Sequence, residues 1–345
     1  MEYNGKYKIF NPTHINTYPI SERTNKVKLA DIVNPDDISR MSPDVSEESV
    51  KNIQIVAEAM ISARRDNKPV ILFTGAHLIK NGLGRLLIEL VNRNMVTLIA
   101  GNGATAIHDF ELALIGETSE YVPQALEKGQ FGMAYEFAYQ NMAVQLGNKY
   151  KLGYGESLGK TICDESFRNE VFDKVVKEGS PEEFSNPQLS LLAACYEKNI
   201  PFTVHVGIGT DVIDQHQSFD GQAKGGCSGR DFLIYTEEVT KLTEGGVVLN
   251  IGSAVTGPEV FLKAASMAGN IGNVPNGIIT GDFDLRKHTP AHMTDESTQC
   301  YYFRDQKSVV TRVPQAFNGK GFYVQGNQKQ TIPLLYKTII GKLNS

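Results

Sequence analysis

The sequence predicts a doubly wound α/β fold, a mostly parallel sheet with helices on both faces. Three observations predict it. Val70–Thr74, Met95–Ala100 and Gly246–Gly252 are short apolar runs without alternation, as in strands covered on both faces. Between the first two, Leu83, Leu86, Leu87, Leu90 and Val91 recur at three- and four-residue spacing, which marks one face of a helix. Strand and helix patterns then alternate along most of the chain, with no repeat and no obvious linker.

Taken in order, residues 1–45 are polar and carry Pro12, Pro19, Pro35 and Pro43, so they read as an extended N-terminal arm. Within it, 26–33 alternates enough to lie on another surface. Residues 46–345 read as a single α/β domain. Ser46 opens a helix whose first turn is acidic and whose last residues, Arg64, Arg65 and Lys68, are basic, each sign suiting the helix dipole. The second core strand runs into Gly101-Asn102-Gly103-Ala104-Thr105-Ala106. That is G-x-G-x-x-A between strand and helix, the place where glycine lets a backbone approach a pyrophosphate. The acid expected about twenty residues later is displaced, because Glu117 and Glu120 fall in a polar segment.

Residues 117–150 read as helical. Gly153-Tyr154-Gly155-Glu156-Ser157-Leu158-Gly159-Lys160-Thr161 lacks the spacing of a P-loop and reads as an ordinary loop. Leu189–Ala194 is helical and Ile200–Val206 is a strand. Residues 214–231, polar and glycine-rich, read as a long functional loop at that strand's end. Phe232–Leu242 is a helix, Pro258 begins another, and Gly277–Asp282 and Gly321–Val324 are further strands. A last helix starts at Pro333.

Composition bounds the function. The chain has 345 residues, 41% hydrophobic and 21% charged, with a net charge of −5. An acidic balance argues against a general nucleic-acid binder. No apolar run is long enough to span a bilayer, and the first ten residues lack a signal-peptide core, so a cytoplasmic location is expected. Cys163, Cys195, Cys227 and Cys300 are far apart and read as reduced thiols. His205, His216, His288 and His292 show no metal-binding spacing, so no metal is expected.

Polar groups follow several strand ends: His77, His108 with Asp109, Asp211 with Asp214, Ser253, and Thr280 with Asp282. Converging over one sheet edge, they would make a pocket for a nucleotide and a polar substrate.

Here the residues resemble a known family. Thr74-Gly75-Ala76-His77-Leu78-Ile79, Asn102-Gly103-Ala104-Thr105-Ala106-Ile107-His108-Asp109, Gly209-Thr210-Asp211, Asn250-Ile251-Gly252-Ser253 and Ile332-Pro333-Leu334-Leu335 are similar to segments of the deoxyhypusine synthase family, over most of 50–340. The resemblance implies an NAD-dependent enzyme on a polyamine, working as a homotetramer with the N-terminal arm reaching a neighbouring subunit. It implies NAD contacts at Gly75, Ala76, Asn102, Gly103, Ala104, Asp211, Gly252, Ser253, Thr280 and Gly281, to which the strand-end reading adds His77 and Asp282. His108 stands where that family has an acid, and Gly257-Pro258-Glu259 where it has K-H-H. The W-G-K that supplies an imine lysine has no counterpart, and Lys307 lies in the corresponding region. Those departures count against deoxyhypusine synthesis itself and leave hydride chemistry in place. The catalytic candidates are His108, Asp109, Asp214 and Lys307. Two other readings stand beside this one: a non-catalytic nucleotide-binding regulator, and an enzyme that cleaves NAD.

Overall fold

The computed structural model describes residues 3–290, 293 and 295–344. His292 lies outside them. The strands are β1 (Asn25–Val27), β2 (Val70–Thr74), β3 (Leu98–Asn102), β4 (Thr118–Glu120), β5 (Phe202–His205), β6 (Val247–Ile251), β7 (Ile279–Asp284) and β8 (Lys320–Gln325). Six of them form one sheet in the order β5-β3-β2-β6-β7-β8. Every pairing in it is parallel. Numbered within that sheet, the order is third, second, first, fourth, fifth, sixth, the doubly wound arrangement whose direction reverses between β2 and β6. β1 and β4 pair separately and antiparallel.

The unbroken apolar runs follow from this burial. Val70, Leu72, Val247 and Leu249 join one core cluster, and Ile71, Phe73 and Val248 the other. Helices α1 (Glu47–Arg65), α2 (His77–Lys80), α3 (Gly84–Asn92), α4 (Gly103–Ile115), α5 (Val122–Glu127), α6 (Phe137–Lys149), α7 (Tyr154–Cys163), α8 (Glu165–Phe172), α9 (Leu191–Glu197), α10 (Gly221–Thr240), α11 (Thr256–Asn270), α12 (Val313–Ala316) and α13 (Gln328–Leu343) complete the chain. Ile53, Val56, Ala57 and Met60 of α1 pack into the first cluster, and Phe261, Ala264 and Ala265 of α11 into the second. Ser46 caps α1 by accepting from the Ser49 amide at 3.2 Å. Among the described residues no helix is long and apolar enough to cross a membrane.

Three expectations are corrected. The 153–161 stretch is helix α7, not a loop. Its Gly155 lies so close to the Phe202 carbonyl of β5 that a Cβ would overlap it, and Glu156 closes the first turn by accepting from the Gly153 amide. The 214–231 loop is largely helix as well. Asp220 accepts from the Gln222 and Ala223 amides, so α10 begins at Gly221, eleven residues before the expected start at Phe232. Glycines that resemble loop signals let α10 and α7 approach their neighbours closely. Finally, α13 starts at Gln328, capped by Asn327, and carries Pro333 in its sixth position.

Side chains cover part of both outer edges of the sheet. On β5, the Val204 amide donates to Asp231 at 2.7 Å and the Val204 carbonyl accepts from the Ser228 hydroxyl at 2.7 Å. On β8, the Tyr323 and Gln325 carbonyls accept from Asn52 at 2.8 Å and Ser49 at 2.9 Å, both on α1.

Candidate functional site

β3 ends at Asn102, whose side chain accepts from the Thr105 amide and hydroxyl, both at 2.9 Å. Asn102 therefore caps α4. Gly103 opens that helix, and the space its side chain would fill is held by the Asp211 carboxylate. Asp211 is itself anchored by Lys224 at 2.7 Å, and Lys224 also pairs with Asp214. All three are buried or nearly so. Burial raises the Asp211 pKa, while the neighbouring Lys224 pulls it back down. The G-x-G-x-x-A turn is thus supplied with an anion by the chain itself.

One turn along α4, His108 faces a different set of groups. Its Nδ1 lies 2.7 Å from the Thr118 hydroxyl of β4. Thr118 in turn donates to Glu111, one turn further along α4, and Arg23 holds Glu111 at 2.6 Å. Burial would raise the Glu111 pKa; Arg23 and His108 outweigh it and bring the group down to about 2. Thr118 has one proton, and a carboxylate can only accept it. His108 must then donate from Nδ1 to Thr118. That fixes the tautomer and leaves Nε2, which has no hydrogen-bond partner among the described residues, as a lone-pair base.

His108 opens on a cavity of about 230 Å³ between the N-terminal segment, α4, β4 and the loop 207–212. Arg23, Lys26, Lys80, Glu120, Phe137 and Asp211 also line it. Of these only Asp211 was among the sequence candidates. Arg23 and Lys26 have no local signal, because their placement depends on β1 pairing with β4, and Lys80, at the end of the short helix α2, carries none either. Glu111 carried one: it stands three residues after His108, on the same helical face.

The other candidates lie elsewhere. Asp109 is fully buried and caps α9, accepting from the Ser190 hydroxyl at 2.5 Å and the Leu191 and Leu192 amides at 2.8 and 3.0 Å. Its pKa is raised to about 6 by burial, against those hydrogen bonds. Lys307 sits in the π-helical segment Gln306–Arg312, its Nζ 3.2 Å from the centre of the Tyr301 ring. It lines no part of the His108 cavity. Thr280 and Gly281 fall inside β7 instead of at its end. The Thr280 hydroxyl donates to the Val309 carbonyl at 2.5 Å, and Gly281 packs on Leu249. Asp282 is fully buried, accepts from Asn250 at 2.8 Å and has its pKa raised by burial and by Asp305.

Gly75, Ala76, His77, Gly252 and Ser253 do meet, at the β2/β6 reversal. The Gly75 amide donates to the Ile251 carbonyl at 2.9 Å, and a Cβ on Gly75 would strike the Gly252 carbonyl. Beyond that contact the chains part, leaving His77, Ala254 and Val255 exposed. Ser253 accepts from the Gly257 amide at 2.9 Å and so holds the start of α11. Burial, then Lys80 and His108, lower the His77 pKa, and Lys80 at the other end of α2 lines the cavity. The described histidines of the metal consideration are dispersed: His205 lies among Phe73, Phe232 and Tyr235, His216 bonds Ser218, and His288 stacks on Tyr323. Among the described residues no group of three or more His, Cys, Asp or Glu is placed to hold a metal.

No family model and no curated protein matches the chain. Solved structures give loose likenesses. ArgZ, an arginine dihydrolase from the ornithine-ammonia cycle in cyanobacteria, shares 15% identity at a TM-score of 0.47, over 88% of this chain and 33% of that one. AgrE, solved as a ternary complex with ornithine and NAD+, shares 15% at 0.46, over 88% and 35%. The chain spans about a third of the length of either. A protein from Entamoeba histolytica described as a deoxyhypusine synthase shares 9% at 0.39, over 95% and 97%. Likenesses this distant say nothing of activity, and the fold rests on the chain's own strand order.

Proposed function

We propose that this chain is an NAD-linked enzyme acting on a small polar, amine-bearing substrate held beside His108. The observation that carries the reading is the His108–Thr118–Glu111 arrangement, which leaves an imidazole nitrogen free as a base on a small cavity.

The residues present do not fit a pyrophosphate at Gly103 and Ala104, because the Asp211 carboxylate stands there and would repel it. The reversal is where parallel sheets place their ligands; there Gln328 fills the space beside Gly252 and the Gly252 carbonyl the space beside Gly75, so NAD would rest on the exposed His77, Ala254 and Val255. Bound there, NAD would supply the hydride acceptor. His108 Nε2 takes the substrate proton. Thr118 and Glu111 hold the ring and stabilise the imidazolium that results. Group transfer through an imine on Lys307 is not part of the proposal, since that lysine lies away from the cavity.

The test is calorimetric titration of NAD with thermal shift alongside, because a ligand that binds only the folded state must stabilise it. Binding followed by an absorbance rise at the reduced-nicotinamide band, on adding amine substrates, supports hydride transfer. Release of free nicotinamide would replace it with cleavage, and binding without turnover on any substrate with a regulatory role. An absence of binding at millimolar NAD would remove the cofactor.

A further inference from the structure

The cavity beside His108 has an uneven set of unused hydrogen-bonding groups. Its acids are engaged: Glu111 by Arg23 and Thr118, Asp211 by Lys224, and Glu120 by the Tyr18 hydroxyl at 2.7 Å and the Gly132 amide at 3.0 Å. Its donors are not. Arg23, 8% exposed, gives Nε to Asn25 at 2.8 Å and Nη1 to Glu111, but Nη2 is buried without a partner. The guanidinium rests on the Phe137 ring, 5.6 Å from its centre, and that ring is also part of the wall. Among the described residues Lys80 on α2 pairs with no carboxylate, and neither does the exposed Lys26, whose Nζ lies 5.5 Å from the centre of the Tyr121 ring. The two ammonium groups are close enough to repel, and burial with Lys26 nearby lowers the Lys80 pKa.

A buried guanidinium nitrogen without an acceptor is costly and calls for one. The complement to two lysines without a carboxylate partner, backed by a buried guanidinium, is an acceptor-only, negatively charged group. We propose that this cavity anchors a small oxyanion, a carboxylate or phosphate, through Lys80 and Lys26, with the Arg23 guanidinium behind the wall adding its charge. That group is carried by the molecule His108 acts on, so this deepens the functional reading and rests on it for the word substrate. The cavity, about 230 Å³ and open on one side, admits a small molecule carrying the anion. A diamine, which matches none of the unused donors, is disfavoured, so the amine-bearing substrate carries an acidic group as well.

The experiment is calorimetry on the full chain with 4-aminobutanoate, butanoate, inorganic phosphate and 1,4-diaminobutane, each with and without NAD. Binding of a carboxylate or of phosphate, with the diamine silent, is expected. Which of the two anions binds decides the source. Lys80→Met removes a half-buried charge from a short surface helix without unpairing an acid, so it keeps the melting temperature. It is expected to weaken oxyanion binding about tenfold, the worth of one charge-assisted bond. Arg23→Lys checks the same point on the buried side, with its melting temperature read in parallel. A diamine that binds more tightly than the anions overturns the proposal. So does oxyanion affinity unchanged in Lys80→Met, or displacement of the anion by NAD. NAD binding with no oxyanion binding sinks this proposal alone; oxyanion binding with no NAD binding sinks the cofactor and keeps the anion site.

Discussion

The Asp211 carboxylate occupies the place where a side chain at Gly103 would begin. A motif that reads as room for a phosphate is room for an acid of the same chain. The positive end of α4 meets a negative group either way. Lys224 holds that acid down, so the arrangement is a three-residue unit of Asp211, Asp214 and Lys224.

Lys224→Met is expected to destabilise the protein by roughly 3–5 kcal/mol, the usual cost of removing one partner from a buried ion pair. Without Lys224, burial and the neighbouring Asp214 push the already raised Asp211 pKa further up. Its folded value then lies further above the unfolded one, so the deficit is smallest in acid and grows as pH rises. Urea unfolding at acidic and alkaline pH reads this directly. A deficit independent of pH would mean the two acids stay neutral or find another partner.

His108→Ala is expected to lower kcat by roughly 10²–10⁴-fold, the range for a general base. Thr118→Val removes the hydroxyl that fixes the tautomer and should lower kcat with little change in KM. Steady-state kinetics on the substrate identified by titration would check both. Full turnover by His108→Ala would remove the base from the proposal.

Gly155→Ala places a Cβ against the Phe202 carbonyl, and backbone cannot swing aside as a side chain can. Overpacking of this kind costs about 1–3 kcal/mol. A melting temperature equal to wild type would show that α7 can move off β5.

Asp231 is raised from 3.8 to about 7, chiefly by burial, while the Val204 and Gly155 amides pull it down. An acid with a raised folded pKa contributes stability below its unfolded pKa and loses it as pH climbs through the folded value. Buried histidines pull the other way. His205, lowered to about 3, and His216, lowered to about 4, contribute above their unfolded pKa and lose it in acid. The wild-type profile therefore mixes both, and the difference from a variant isolates the acid. Asp231→Asn keeps an oxygen for the two amides but cannot ionise. Its stability relative to wild type is expected to rise between about pH 4 and pH 7, measured by melting across that range. A flat difference would place the Asp231 titration elsewhere.

Val70–Thr74 and Gly246–Gly252 were legible because a strand covered on both faces leaves no polar position to confuse. Gly153–Thr161 and 214–231 were not, because glycine marks both flexible turns and close helix packing, and only the neighbour at Phe202 or α6 tells which. The position of His108 on a helix that follows a strand and glycine turn was legible. Asp109, next in sequence, spends its carboxylate capping a helix that begins eighty-two residues later, at Leu191. Arg23 belonged to a segment that reads as an arm, and only the β1–β4 pairing brings its guanidinium to Glu111.

The side chains that cover part of β5 and β8 have a consequence for crowding. A sheet grows into fibrils or swapped dimers when a neighbour finds bare amides and carbonyls along its rim. Here Asp231 and Ser228 answer an amide and a carbonyl on one flank, and Ser49 and Asn52 two carbonyls on the other. A second copy meets filled valences at these positions, which leaves it fewer bare groups to pair with along either rim.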